Sequence, residues 1–194
     1  MEFDKSYYES NNYTNYLGRE DRYVKLADEV MTHLKTFDLV QSPILDFGCA
    51  VGFLMRGLAK YGDVYGVDVS DWAIEQASAQ GLKVQKTIDP KLDHGMVFAL
   101  DVFEHIPEKD LRHVLLNLRA KLIVFRMPVC ANEGEDYVLD VSRVDPTHVV
   151  CWTKDQWRRL FKDFGYLPLD LNLSTIYNSP GVYTGIAIRT NARF

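Results

Sequence analysis

Cysteine is scarce in this chain of 194 residues, which contains only three: Cys49, Cys130 and Cys151. Their number is odd, they lie far apart and no two form a CxxC pair, so a disulfide framework is not expected. Cys130 and Cys151 share a region with His148, and His105 could lie near them, but none of them has a familiar Zn²⁺ ligand spacing. Free cysteine is commonly a small buried hydrophobe, so we expect no metal site.

Basic residues are also few, with 22 Lys and Arg against 27 Asp and Glu and a formal net charge of -5. A protein that grips nucleic acid through its phosphates needs clustered Lys and Arg, so no nucleic-acid partner is expected. No apolar stretch approaches the roughly 20 residues that span a bilayer, and no apolar run follows a basic start. We therefore expect a cytoplasmic monomer or homodimer without a membrane partner.

The length fits one domain, 1–194, and a hydrophobic content of 47% is enough for a full core. Apolar spacing predicts an amphipathic helix from Tyr23 to Phe37, after which strands and helices alternate. Capping or breaking residues mark several helices, including a capping box formed by Thr153 and Gln156. The predicted strands are Ile44–Phe47, Asp63–Val69, Leu82–Thr87, Met96–Leu100, Leu122–Arg126, Leu167–Tyr177 and Val182–Thr190.

Strands that alternate with helices predict a doubly wound α/β fold, in which a mostly parallel sheet is covered on both faces. The last two strands, joined by residues 178–181, favour a C-terminal hairpin that adds an antiparallel strand. Open sheets of this kind bind ligands beyond the carboxyl ends of their strands. The functional residues are therefore sought directly after strands.

The strongest local signal is Ile44-Leu-Asp46-Phe-Gly48-Cys-Ala50-Val-Gly52, a buried strand that runs into a turn of small residues. Such turns let the backbone approach a ligand closely and present amide groups to it. A second strand ends in Asp68, 20 residues after Gly48, where a carboxylate can accept hydrogen bonds from ribose hydroxyls. We therefore interpret the turn and Asp68 as a binding site for a ligand that contains a nucleoside.

The spacing of the glycines favours S-adenosylmethionine (SAM) over a dinucleotide. A dinucleotide site requires G-x-G-x-x-G, whereas this turn has G-x-x-x-G, and Met55 stands where the third glycine would be. SAM carries a cationic amino-acid end and no diphosphate. The carboxylate of Asp46 is suited to that cationic end and would repel a diphosphate.

The turn resembles motif I of the class I SAM-dependent methyltransferases, whose usual form is acidic-x-Gly-x-Gly-x-Gly. The likeness extends over roughly residues 20–190 and implies a Rossmann-like, seven-stranded sheet. Ala50 replaces the middle glycine of the motif, which is tolerable if that residue keeps a negative φ. Three further segments are similar to the family: Val64–Ser70, Phe98–Ile106 and Asp145–His148 with the later Phe164–Tyr166.

The resemblance also implies roles for individual residues. Asp46 would face the amino group of SAM, Asp68 the ribose and Val69 the adenine. Residues 101–103 would close the site below the cofactor. The turn would line the methionine end through Gly48, Ala50 and Gly52, with Cys49 among them as a structural residue. The implied cofactor set is thus Asp46, Gly48, Cys49, Ala50, Gly52, Asp68, Val69, Asp101, Val102 and Phe103.

Candidate catalytic groups are His105, which follows the fourth strand, and His148, which lies in the long loop 128–152. A hydroxyl or ammonium acceptor must lose a proton, and histidine is the usual base near neutral pH. Asp145 could orient His148. Equally, His105 could pack below the cofactor, His148 could anchor the loop, and Asp145 could start a turn before Pro146.

Two segments are candidates for covering the site. Residues 1–19 are rich in tyrosine, including Tyr7, Tyr8, Tyr13 and Tyr16, and either form a lid or fray as a terminus. The loop 128–152 is long for a compact domain, as functional loops often are. Its carboxylates either cap the substrate or face solvent: Glu133, Glu135, Asp136 and Asp140.

The expected function is transfer of the SAM methyl group to a small-molecule hydroxyl or amine, with release of S-adenosylhomocysteine. The prediction of a small-molecule acceptor depends on two expectations: there is no basic patch, and there is no appended recognition domain. Two alternatives stay open. One is a methyltransferase that acts on protein or RNA, and the other is a SAM-binding module without turnover.

Overall fold

The computed structural model describes residues 3–9, 16–178 and 180–190. Tyr13 of the candidate lid segment and Ser179 of the predicted C-terminal turn lie outside these ranges. The helices are α1 (Lys5–Tyr8), α2 (Glu20–Thr36), α3 (Phe53–Leu58), α4 (Asp71–Ser78), α5 (Glu108–Leu118), α6 (Asp140–Arg143) and α7 (Lys154–Asp163). The strands are β1 (Ile44–Phe47), β2 (Val64–Val67), β3 (Val84–Gln85), β4 (His94–Leu100), β5 (Ala120–Pro128), β6 (Tyr166–Asp170) and β7 (Val182–Arg189).

The strands form one seven-stranded sheet in the order β3-β2-β1-β4-β5-β7-β6. The first five strands are parallel, and β7 pairs antiparallel with both β5 and β6. The predicted α/β sheet with a C-terminal antiparallel hairpin is therefore confirmed. Among the helices of the described residues, none combines the length and apolarity needed to cross a bilayer.

The alternation of side chains in β4 shows how the sheet is covered on both faces. Val97 packs into the cluster beneath α5 and α7, whereas Met96 and Phe98 pack with α2 and α3 on the opposite face. All three are fully buried. Because side chains alternate along a strand, one continuous apolar run supplies both halves of the core.

Local sequence signals set the helix ends near the site. Ser70 caps α4 through its side chain, which accepts from the amide of Ala73 at 3.1 Å. Thr153 and Gln156 form the predicted capping box of α7. Pro107 stands immediately before α5, one position earlier than predicted. Each of these helices therefore begins next to a residue that marks its start in the sequence.

Three predicted strands are too long by at least three residues, and the second strand covers only Val64–Val67. The third covers only Val84–Gln85, and the sixth ends at Asp170 and not at Tyr177. The carboxylate of Glu29 on α2 accepts the amides of Ser174 at 2.5 Å and Thr175 at 2.9 Å. These bonds tie the chain after β6 to α2, so its polar groups are satisfied without the sheet.

Candidate active site

A cavity of about 250 Å³ lies at the carboxyl ends of β1, β2 and β4, where the sheet order changes direction. This is the edge at which open α/β sheets bind ligands. Its lining brings together most of the residues singled out from the sequence. Those residues are Asp46, Gly48, Cys49, Ala50, Asp68, Val69, Asp101, Val102 and His105.

The turn after β1 has a left-handed backbone at three alternate positions. The φ angles are 79° at Gly48, 47° at Ala50 and 84° at Gly52. The expectation that Ala50 keeps a negative φ is therefore wrong, and its Cβ carries the steric penalty of this region. A side chain at Gly48 would also overlap Val102. The left-handed conformation requires glycine, or an alanine under strain, at these positions. The small residues leave the backbone of the turn exposed to the cavity.

Asp46 is almost fully buried, with 3% of its surface exposed, and it lines the cavity. Within the described residues its Oδ2 atom has no hydrogen-bond partner. Burial, together with the nearby Asp68 carboxylate, raises the pKa of Asp46 to about 8. An orphaned buried carboxylate at a cavity wall is suited to a cationic ligand, so it fits the ammonium group of SAM.

Asp68 follows β2 and is also buried. Its Oδ2 accepts the amide of Ala50 at 2.8 Å, and its Oδ1 accepts the amide of Ser70 at 2.8 Å. Burial raises its pKa, against the opposing effect of these bonds. Each carboxylate oxygen has a second lone pair, so Asp68 can hold the turn and still accept from a ligand hydroxyl.

The remaining residues of the predicted cofactor set differ in placement. Val69 is 62% exposed at the cavity, an apolar side chain available to a flat ring. Asp101 pairs with Arg126 and has a left-handed φ of 56°. In the described chain, Gly52 and Phe103 stand outside the lining, since Gly52 precedes α3 and Phe103 is buried in the core.

The structure brings His105, His148 and Asp145 into one cluster. The two imidazole rings lie 4.7 Å apart between centroids, and His148 Nε2 lies 3.8 Å from Asp145 Oδ2. Thr147 bridges the cluster, because its Oγ1 contacts His105 Nδ1 at 2.9 Å and donates to Asp145 Oδ1 at 2.5 Å. Only His105 of these lines the cavity.

Burial governs the protonation of this cluster. It lowers the pKa of His105, with help from the neighbouring His148, so the ring is neutral at pH 7. Burial opposes the ionisation of Asp145, but hydrogen bonds from the Thr147 hydroxyl and amide hold its pKa below the ordinary value. The cluster therefore contains neutral imidazole beside carboxylate.

Glu104 is the principal residue that the sequence interpretation missed. It follows β4 in a short 3₁₀ turn, is fully buried, and its Oε1 lies 4.0 Å from His105 Nε2. Burial, with a contribution from Asp101, raises its pKa well above the ordinary range. The one available signal was a charged residue beside His105 directly after a buried strand.

A second cavity of about 150 Å³ adjoins the first and was not anticipated. The two share Tyr23, Leu100 and Asp101. Three arginines also line the smaller cavity: Arg19, Arg22 and Arg126. No local pattern indicates this grouping, because α2 and β5 are far apart in the chain.

Aromatic residues of the N-terminal segment cover the larger cavity. Tyr8 and Tyr16 are buried, and their ring centroids lie 5.7 Å apart. Tyr8 also packs against Trp72 at 5.2 Å, and Phe3 against His105 at 5.6 Å. By contrast, the acidic residues of the loop 128–152 are exposed and lie away from both cavities: Glu133, Glu135, Asp136 and Asp140.

The loop itself is anchored and not free. The amides of Val149 and Val150 donate to the Glu104 carbonyl at 2.8 and 3.1 Å. Cys130 and Cys151 are free thiols whose sulfur atoms contact backbone carbonyls, as expected for structural cysteines. The anchored loop thus places the His148 ring beside the His105 ring.

Comparison with known proteins agrees with this geometry. A sequence profile described as "Methyltransferase domain" matches residues 19–170. A search of curated proteins finds no match. The solved structures that resemble the chain include a SAM-dependent methyltransferase from Clostridium acetobutylicum, with a TM-score of 0.66 and 14% identity over 86% of this chain and 92% of that one.

Two further solved structures show the same fold. The magnesium protoporphyrin IX methyltransferase of Synechocystis PCC 6803, with bound SAM, has a TM-score of 0.62 and 19% identity over 87% of this chain and 80% of that one. The methyltransferase domain of bacterial CtHen1 has a TM-score of 0.63 and 17% identity over 87% and 98%. The chain belongs to the methyltransferase domain family and is a class I SAM-dependent methyltransferase.

Proposed function

We propose that this methyltransferase acts on a hydroxyl or amine of a small molecule and releases S-adenosylhomocysteine. The observation that carries the proposal is the pair of adjoining cavities, of about 250 and 150 Å³, the larger of them covered by aromatic residues. Adjoining clefts lined by apolar side chains and a few polar groups are typical of sites for small molecules. The net charge of -5 also disfavours a polyanionic partner.

The larger cavity is assigned to the cofactor. Asp46 is the proposed partner of the SAM ammonium group, supported by its burial and by its unpaired Oδ2 among the described atoms. The backbone of the turn from Gly48 to Gly52 would lie along the methionine portion. Its left-handed positions leave the main chain accessible there.

The nucleoside end is assigned to the residues that follow β2 and β4. Asp68 would accept from the ribose hydroxyls with the lone pairs left by Ala50 and Ser70. Val69 would pack on the adenine, supported by its exposure at the cavity wall. Asp101 and Val102 would form the floor, while Phe103 would support it from the core.

Residues 3–9 and 16–19 are proposed to form part of a lid in a single domain that spans the chain. Phe3, Tyr7, Tyr8 and Tyr16 line the cavity, and aromatic rings with polar edges suit a site that is half apolar and half wet. A closed lid excludes water from the reacting groups. The rest of residues 1–19 lies outside the described ranges.

When bound, SAM supplies an electrophilic methyl group whose transfer is an in-line displacement, so the protein must align the acceptor and accommodate its proton. We assign the proton to the cluster of His105, His148 and Asp145. The support is that His105 borders the cavity and that Thr147 connects it to the Asp145 carboxylate. Such a chain orients the ring and stabilises positive charge on it.

The smaller cavity is assigned to the acceptor. The Asp101 carboxylate in its lining pairs with Arg126, and Arg19 and Arg22 still make the wall positive overall, which favours an acceptor with a carboxylate or phosphate group. Among the structural neighbours, the Synechocystis enzyme is named for a small-molecule acceptor, magnesium protoporphyrin IX. That neighbour illustrates the acceptor class and does not identify this acceptor.

The test is calorimetric titration with SAM, followed by measurement of S-adenosylhomocysteine release with a panel of hydroxy acids, amino acids and phosphorylated metabolites. The account expects micromolar SAM binding and turnover with at least one anionic metabolite. Parallel reactions contain bulk RNA and a mixed peptide pool. Turnover confined to RNA or peptides would contradict the acceptor class, and SAM binding without any turnover would favour a binding module.

A further inference from the structure

We propose that Glu104, His105 and His148 form a binding site for a divalent transition-metal ion, with Asp145 beside it. One ligand atom from each of the first three residues lies within 4.8 Å of the others. The residues come from the turn after β4 and from the loop 128–152, so the fold, and not a local motif, brings them together. The sequence-based expectation of no metal site considered the two cysteines with His148 and His105, and it did not include Glu104.

Glu104 supplies the strongest observation. Its side chain is fully buried, and both carboxylate oxygens are without a hydrogen-bond partner in the part of the chain that the structure describes. A buried carboxylate without a partner is destabilising unless something compensates it. Its Oε1 is directed toward His105 Nε2 at 4.0 Å, which leaves room for an ion between the two atoms.

The hydrogen bonds behind the histidines fix their tautomers. His105 Nδ1 lies 3.2 Å from the Thr147 carbonyl, and His148 Nδ1 lies 3.0 Å from the Ser142 carbonyl. A carbonyl only accepts, so Nδ1 of each ring carries a hydrogen. The lone pair of a neutral ring with this tautomer is on Nε2. Metal-binding histidines are held in this way, with the second ring nitrogen donating to a carbonyl or carboxylate.

In their unprotonated forms, the groups that meet at the cluster are all acceptors. His105 Nε2 faces Glu104 Oε1 at 4.0 Å, and His148 Nε2 faces Asp145 Oδ2 at 3.8 Å. In that state the two imidazole lone pairs and the two carboxylate oxygens that face them have no donor among these four side chains. A divalent cation would satisfy all of them simultaneously.

The distances are close to those of an occupied site. Metal–ligand bonds of about 2.1 Å place ligand atoms about 3.4 Å apart in a tetrahedral site and up to about 4.2 Å apart in an octahedral site. The observed separations of up to 4.8 Å require movements of under about 1 Å, which side-chain torsions provide. The backbone needs no change, since the Glu104 carbonyl already binds the amides of Val149 and Val150.

The donor set selects the class of ion. Imidazole suits Zn²⁺, Co²⁺ and similar transition metals, whereas Mg²⁺ and Ca²⁺ prefer sites composed of oxygen ligands. Three protein ligands also leave coordination positions open, as in catalytic zinc sites. Because His105 borders the larger cavity, the ion would lie where an acceptor hydroxyl could bind and lose its proton more readily. In that metal-bound state the Nε2 lone pairs of the two histidines would bind the ion and would no longer accept the proton of the acceptor.

The test is a metal titration of chelator-treated, full-length protein in the absence of SAM and acceptor. We expect Zn²⁺ and Co²⁺ to bind one equivalent with micromolar or tighter affinity by calorimetry, and Co²⁺ to develop a visible absorption band. Each ion should also raise the melting temperature. This readout needs no turnover, so it is separate from the test of the proposed function.

Variants distinguish the site from chance binding. Glu104→Gln and His148→Asn should each weaken Co²⁺ affinity at least tenfold, whereas His113→Asn, at an exposed histidine on α5, should leave it unchanged. Glu104→Gln removes an unpaired buried carboxylate and should therefore melt higher than the wild type in chelator. Absence of binding to the wild type, or equal binding by all three variants, would overturn the proposal.

Discussion

The carboxylate of Asp68 accepts the amide of Ala50 at 2.8 Å, so the residue after the second strand holds the turn after the first. The two strands are adjacent and parallel, and their carboxyl ends meet at the cavity. One side chain thus positions the glycine-rich turn and presents its remaining lone pairs to a ligand. We propose that the assembly of the cofactor site depends on this contact.

Replacing Asp68 tests that dual role. Asp68→Ala should weaken SAM binding by roughly 1–3 kcal/mol, because ribose hydroxyls lose their acceptor and the Ala50 and Ser70 amides lose theirs. Calorimetry measures the affinity, and thermal melting measures the loss of the turn anchor.

Asp71→Ala is the matched control. Asp71 is an exposed carboxylate three residues further on, paired with Lys86 at 2.7 Å, and such surface pairs contribute about 0–1 kcal/mol. Unchanged SAM affinity in Asp68→Ala would refute the ribose assignment.

Asp46 should make stability depend on pH. Its folded pKa of about 8 exceeds the unfolded value, so the native state binds one proton more across the window between them. Its contribution to stability is complete below pH 4 and is lost as the pH rises toward 8, with a slope of about 1.4 kcal/mol per unit. Asp46→Asn should remove this slope and be more stable than the wild type at pH 8.

The same variant should lose cofactor affinity, because the SAM ammonium group loses its charged partner. At pH 7 the wild type should release close to one proton on binding, since the ligand favours the ionised carboxylate. Calorimetry in buffers of different ionisation enthalpy measures that proton. If Asp46→Asn released as many protons as the wild type on binding SAM, the proton would come from another group.

Ala50→Gly should increase the free energy of unfolding. An alanine in the left-handed region costs about 1–2 kcal/mol, while glycine adds about 0.4–1 kcal/mol of unfolded-state entropy. The expected net gain is about 0.5–1 kcal/mol, measured by urea denaturation. Ala59→Gly, where φ is -56°, should give no such gain, and a loss in Ala50→Gly would show that the methyl group is needed.

Tyr8→Ala tests the lid. Tyr8 is buried against Tyr16 and Trp72, so its removal should open the cavity and weaken SAM binding about tenfold. Tyr8→Phe keeps the ring and should retain most of the affinity. Tyr177→Ala, at a tyrosine that is 58% exposed, is the control. A Tyr8→Ala protein with wild-type affinity would mean that the segment covers the cavity without contributing to binding.

His148→Ala should leave SAM binding intact and lower turnover at least tenfold, because His148 contributes to the cluster beside the cavity and not to the cavity wall. Turnover is measured as S-adenosylhomocysteine release, and folding by circular dichroism. Should the variant fail to fold, the bond from His148 to the Ser142 carbonyl would be the anchor of the loop.

Much of the fold follows from local sequence signals. The first strand is predicted at its observed bounds, and the capping residues of α4 and α7 are correct, because these features depend on neighbours in the chain. The sixth strand was predicted too long, since Glu29 on a distant helix determines where it ends. Burial patterns in one segment do not reveal such partners.

The site residues show the same contrast between local signals and contacts with distant parts of the chain. Asp46, Gly48 and Asp68 were predicted because each lies at the end of a strand or directly after it, at a recognisable spacing. Glu104 and the three arginines of the smaller cavity were missed, because their meaning depends on which loops and helices meet in space. A carboxylate such as that of Glu104 indicates a site only when the structure shows that it is buried without hydrogen-bond partners among the described residues.

The most direct test of the account is a crystal structure of the protein with S-adenosylhomocysteine. The account predicts its amino group within hydrogen-bond distance of Asp46, its ribose hydroxyls on Asp68 and its adenine against Val69. Density for the nucleoside outside the cavity at the ends of β1, β2 and β4 would contradict it.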